Sequence, residues 1–135
     1  MKRKLTNLLG ESLRAGADAG LLPAALHPRI EVELTKDPGH GDYASNVAMV
    51  LAKQMKRNPR EVAKILSDGI ADREGVLEKV EIAGPGFLNF FVREGAWSTL
   101  LETVALQGER YGSGDLGKGR RVQVEFVSAN PTGPL

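Results

Sequence analysis

The chain has 135 residues, 41% hydrophobic and 26% charged, the proportions of a soluble globular protein with room for one core. Lys+Arg 18 against Asp+Glu 17 gives a net charge of +1, so bulk charge does not mark a nucleic-acid binder and any phosphate contact must be local. The absence of cysteine excludes disulfides, thiolate metal sites and cysteine nucleophiles, and fits a cytoplasmic location.

Met1-Lys2-Arg3-Lys4 followed by leucines has the outline of a signal peptide, but Asn7, Gly10, Glu11, Ser12 and Arg14 interrupt any apolar stretch. No segment approaches transmembrane length, so no membrane partner is expected. Leu5, Leu8, Leu9 and Leu13 instead form one stripe of an amphipathic helix that should fade between Gly16 and Gly20. Ile30 to Leu34 alternates strictly and predicts a half-buried strand. Lys36 to Gly41 is a loop, with Asp37-Pro38-Gly39 as turn chemistry. Asp42 then suits a helix N-cap, with Ala44, Val47, Ala48, Leu51 and Met55 as the stripe behind it. Asn58-Pro59-Arg60-Glu61 restarts a helix whose buried face is Val62, Ile65, Leu66 and Ile70.

Val76 to Ala83 and Phe87 to Val92 alternate on either side of Gly84-Pro85-Gly86, which predicts a hairpin. Trp97, Leu100, Leu101 and Val104 mark a fourth helix, stopped by Gly108. Residues 111–120 read as a Gly-rich linker between a domain at 1–110 and a further strand and turn at 121–135. Helices packed against a small, mainly antiparallel sheet make the expected fold α+β, with about four helices.

The hairpin carries the sharpest functional signal. Leu88, Phe90 and Val92 share one face of the second strand; Phe87, Asn89 and Phe91 share the other. Both faces are therefore apolar, and an exposed Phe beside an Asn suits a nucleobase site, with the ring stacked on a splayed base and the amide on its edge. The competing reading has helices on both faces and Phe87 in the core; Phe91 is assigned to the core in either case. Gly41-Asp42-Tyr43-Ala44-Ser45-Asn46 also has two readings. Asp42 caps a helix over a turn that Gly41 permits, or Tyr43 and Asn46 face the same ligand as Phe87, Asn46 having a further option of bracing the Phe87 strand.

Other features point to plainer roles. Gly112 to Gly119 nearly spells a phosphate-binding loop, but its last position lacks the hydroxyl that would bind Mg²⁺, and a strand-like segment follows where a helix is needed. His27 and His40 are too isolated to suggest a metal site. Lys53, Lys56, Arg57, Arg60 and Lys64 form either a solvated face or a track for phosphates.

Residues 125–135, EFVSANPTGPL, closely resemble the entry to the catalytic domain of bacterial arginyl-tRNA synthetases. The sequence ends before that family's His-x-Gly-His signature. Residues 41–46, 83–90 and 111–114 are similar to the same family's N-terminal additional domain. The resemblance implies that Phe87 and Asn89, with Tyr43 and Asn46, contact the D-loop of arginine tRNA. It implies that Glu125, Ser128 and Asn130 bind arginine in the parent enzyme. That enzyme is expected to be monomeric and to join L-arginine to its tRNA with ATP and Mg²⁺ through arginyl-adenylate. This segment has no assembled catalytic set, so no catalytic residue and no bound cofactor are assigned to it. The alternative is a protein-interaction module with an exposed aromatic hairpin and no RNA role.

Overall fold

A computed structural model describes residues 1–115 and 117–124. Helix α1 spans Lys2–Asp18 and buries Leu5, Leu9, Ser12 and Gly16. Strand β1 is only Glu33–Leu34, shorter than the five-residue alternation suggested. A single 3-10 turn, Pro38–His40, follows, held by the Asp37 carboxylate, which accepts from the Gly39 amide at 2.8 Å. Strand β2 (Tyr43–Ser45) leads into helix α2 (Val47–Met55), and α3 covers Pro59–Asp68. The hairpin consists of β3 (Leu77–Ala83) and β4 (Phe87–Val92), and helix α4 is Glu94–Gln107.

The four strands form one antiparallel sheet in the order β1-β2-β4-β3, so the fold is α+β. The register sets Tyr43 opposite Phe90, Ala44 opposite Asn89 and Ser45 opposite Leu88. Across the hairpin, Val80 faces Phe90, Glu81 faces Asn89 and Ala83 faces Phe87. Leu88, Phe90, Val92 and Tyr43 thus line one side of the sheet. They share a core with Leu5 and Leu9 of α1, Val47, Ala48 and Leu51 of α2, and Val62, Ala63 and Leu66 of α3. Phe90 is fully buried, which by itself stabilises the fold by about 1.5–3 kcal/mol. The Ser12 hydroxyl donates to the Leu66 carbonyl at 2.5 Å and ties α1 to α3 inside that core.

Helix α3 begins as its sequence predicts. The Asn58 side chain accepts from the Arg60 amide at 2.9 Å, and Pro59 occupies the first turn. Asp42 does not cap a helix. Its carboxylate accepts from the Val92 amide at 2.8 Å while its own amide donates to the Phe90 carbonyl at 2.9 Å. Residues 43–45 are thereby drawn into the sheet, and α2 starts only at Val47. Gly41 makes this approach possible. It sits at φ +80, and a Cβ there would lie 2.7 Å from the Phe90 carbonyl oxygen.

Met1–Leu101 and Glu102–Leu135 are two separate units. Helix α4 buries none of its residues; Trp97 is 37% exposed and Leu101 69%, so its apolar stripe is not part of the core. Arg121–Val124 has no regular secondary structure and no ladder partner among the described residues. Glu125, Ser128 and Asn130 lie outside the described residues.

Candidate functional site

The face of the sheet away from the core carries Phe87, Asn89 and Phe91 of β4, flanked by Ala44 of β2 and by Lys79, Glu81 and Ala83 of β3. Helices do not cover both faces. Phe87 is 39% exposed, and Glu33, Lys79 and Glu81 on the same face of the sheet are exposed too. The ring is large, apolar and wet, which is unfavourable for folding alone and useful for stacking on a ligand.

Beside the ring lies a groove of about 420 Å³. Ala44, Ala83 and Phe87 give it apolar walls, Asn89 reaches it from the sheet, and Lys36 and His40 stand at its rim. Its size falls within the roughly 300–1,000 Å³ of small-ligand sites. Asn89 is only 4% exposed, yet no described residue hydrogen-bonds its side-chain amide. Its amide atoms are not sealed off, since the only fully buried, unpartnered side-chain atom among the described residues is Asp72 Oδ1. A largely buried amide with spare donor and acceptor capacity, lining an apolar groove, is equipped to read the edge of a planar polar ligand.

A smaller hollow of about 150 Å³ also borders Phe87, lined with it by Glu31, Glu33, Leu34, Ala44 and Asn46. Asn46 is half-buried, and its side chain makes no cap bond to α2. The structure therefore places Asn89 and Asn46 in the two hollows that Phe87 lines.

Tyr43 is not with them. Its pairing with Phe90 turns it to the helix side, where it is 6% exposed, so the expectation that it faces outward beside Phe87 is corrected. Burial raises the pKa of its hydroxyl above the ordinary 10.0, and the neighbouring Asp42 charge adds to that rise. Phe91 departs from expectation in the opposite direction. It lies half-buried on the outer face with the Lys79 ammonium 4.2 Å above its ring.

Of Lys53, Lys56, Arg57, Arg60 and Lys64, which run along α2, the link after it and α3, three are engaged locally. Arg57 donates to the Leu21 carbonyl at 2.9 Å, Arg60 to the Gly84 carbonyl at 2.6 Å, and Lys64 pairs with Asp68 at 3.1 Å. The Arg60 contact joins the start of α3 to the turn before Phe87, a link that sequence spacing did not signal.

A family model described as the arginyl tRNA synthetase N terminal domain matches residues 3–92. An arginine–tRNA ligase of Desulfosudis oleivorans is 47% identical over the whole chain, and one of Halorhodospira halophila is 48% identical. The chain spans 24% and 23% of those two relatives. Among solved structures, arginyl-tRNA synthetase from Plasmodium falciparum aligns over 76% of the chain and 18% of its own, with TM-score 0.62 and 14% identity. The Thermus thermophilus arginyl-tRNA synthetase aligns over 77% of this chain and 15% of its own, with TM-score 0.57 and 23% identity, a likeness of fold.

Proposed function

The chain belongs to the arginyl-tRNA synthetase N-terminal domain family, and from that premise we propose that it docks the D-loop of arginine tRNA through the outer face of its sheet. Phe87 stacks on one unstacked base, Asn89 bonds the base edge in the groove, and Asn46 lines the smaller hollow that also borders the ring. The observation that carries this reading is the pairing of an exposed ring with an amide, two residues away, that no described residue hydrogen-bonds. An aromatic platform and an open amide are the two parts that recognition of a single-stranded base requires.

The wider reading is of a segment serving within a longer, monomeric, cytoplasmic arginine–tRNA ligase. Such an enzyme joins L-arginine to ATP as arginyl-adenylate, with Mg²⁺, and transfers the arginyl group to the tRNA. Residues 1–110 hold the tRNA corner, 111–120 connect, and 121–135 begin the catalytic domain, where Glu125, Ser128 and Asn130 bind arginine. This segment itself holds no catalytic residue and no cofactor.

One stacked base contributes about 1–3 kcal/mol, and a neutral hydrogen bond about 0.5–1.5 kcal/mol. Their sum is close to the roughly 4.1 kcal/mol of a millimolar complex. The contact therefore orients tRNA that the rest of the enzyme already holds, where effective concentration supports it.

A photo-crosslinking residue at position 87 of the full-length enzyme tests this. A crosslink to the D-loop of arginine tRNA supports the reading. Adducts to protein only, with tRNA present in excess, favour the alternative of a protein-interaction module.

A further inference from the structure

We propose that Arg60 is a positioning residue for the Phe87 ring, acting through the Gly84-Pro85-Gly86 turn; the inference rests on the stacking role given to Phe87 above. Phe87 occupies the last rung of the hairpin. It pairs with Ala83, but the β2 register begins one residue later, with Ser45 opposite Leu88. The Phe87 backbone therefore has no pairing partner in β2. It is fixed by one neighbour and by the turn that delivers it.

That turn is clamped onto the first turn of α3. Arg60 Nη1 donates to the Gly84 carbonyl at 2.6 Å, a short charge-assisted bond. Gly86 packs directly on Pro59: a Cβ at Gly86 would meet the Pro59 carbonyl oxygen at 3.0 Å and its carbonyl carbon at 3.1 Å. The Gly86 amide closes the turn on the Ala83 carbonyl at 3.1 Å. Gly84 itself approaches the ring, its would-be Cβ standing 4.0 Å from Phe87 Cδ2. The clamp is held in turn by Asn58, whose side chain accepts from the Arg60 amide at 2.9 Å. A chain of contacts thus runs from the cap of α3 through Arg60 and the turn to the ring.

A ring presented by a fixed backbone loses less freedom when a base stacks on it. Arg60 acts by pre-organising the platform and makes no phosphate contact of its own. Those two roles differ in their dependence on salt, because a lost phosphate contact lowers the slope of log K against log salt by about 0.7–0.9.

The test measures affinity for an arginine-tRNA transcript across a salt series, using the full-length enzyme with Arg60→Met, Phe87→Ala and the double variant. The expected result is a loss of about three- to tenfold for Arg60→Met, an unchanged salt slope, and no further loss when Phe87→Ala is already present. Additive losses would show Arg60 acting independently of the ring, a shallower slope would show a phosphate contact, and either result overturns the proposal. An unaffected Arg60→Met beside a weakened Phe87→Ala sinks the clamp and leaves the docking reading standing. If Phe87→Ala binds normally, both fall. A second readout needs no RNA: hydrogen exchange at the Gly86 amide should rise at least about threefold in Arg60→Met. Unchanged exchange there also contradicts the clamp.

Discussion

Ala44 stands opposite Asn89 in the β2–β4 register, and its small methyl leaves the Asn89 amide open to the groove beside Phe87. A larger side chain at this position would fill the space that the base is proposed to occupy. Ala44 is half-buried on the outer face, so the substitution need not disturb the core. Ala44→Leu in the full-length enzyme is expected to weaken tRNA binding by about 1–3 kcal/mol, the contribution of one stacked base. Stability should shift by no more than about 0.5 kcal/mol. Tight binding with the groove filled would move the contact elsewhere.

Among the described residues, Asn89 has no side-chain hydrogen-bond partner that folding would lose. Asn89→Ala is therefore expected to leave the melting temperature nearly unchanged while weakening tRNA affinity by about 0.5–1.5 kcal/mol. Thermal unfolding and filter binding on one preparation separate the two effects. A large drop in melting temperature would mean that the amide supports the sheet.

Tyr43 couples stability to alkaline pH. Its pKa is raised in the folded chain above the ordinary 10.0, first by burial and then by Asp42. The folded state holds the phenolic proton more tightly than the unfolded state does. The resulting stabilisation is complete below pH 10.0 and is lost as pH rises through the folded-state pKa. Denaturant titrations above pH 10 should show this loss in the native chain and a smaller one in Tyr43→Phe. Identical slopes in the two proteins would place the titration at another group.

Gly41 is required by geometry. With φ at +80 and the Phe90 carbonyl oxygen 2.7 Å from a would-be Cβ, an alanine must push the loop off β4. Gly41→Ala is expected to destabilise by about 1–3 kcal/mol, seen as a lower urea midpoint. The Asp42 bond to the Val92 amide should loosen with it, so exchange at Val92 should quicken. A midpoint equal to that of the native chain would contradict the close packing.

Local patterns in the sequence carry α1, α3 and the hairpin, because each rests on near-neighbour chemistry. The Asn58-Pro59 start of α3 and the Gly84-Pro85-Gly86 turn are legible one residue at a time. β2 is not. Ala44, Val47, Ala48 and Leu51 have helical spacing, and only pairing with β4, more than forty residues away, converts residues 43–45 to strand. The same pairing explains Tyr43. Its orientation depends on a register that no local pattern displays, and a slip of one residue reverses every face.

Within the candidate site, the outward turn of Phe87 and Asn89 follows from strand alternation alone. The exposure of that face does not follow, since it depends on where three helices settle. The Arg60 contact with Gly84 was illegible for a related reason. It joins a helix start to a turn 24 residues later, and the sequence offers only a basic run that suits a solvated face equally well.

The most direct measurement is the affinity of the full-length enzyme for arginine tRNA with Phe87 replaced by Ala and, separately, by Trp. Stacking on this ring predicts a loss of roughly five- to 150-fold for Phe87→Ala and retained affinity for Phe87→Trp. Native affinity in Phe87→Ala, in a protein that melts normally, would contradict the proposed docking of the tRNA.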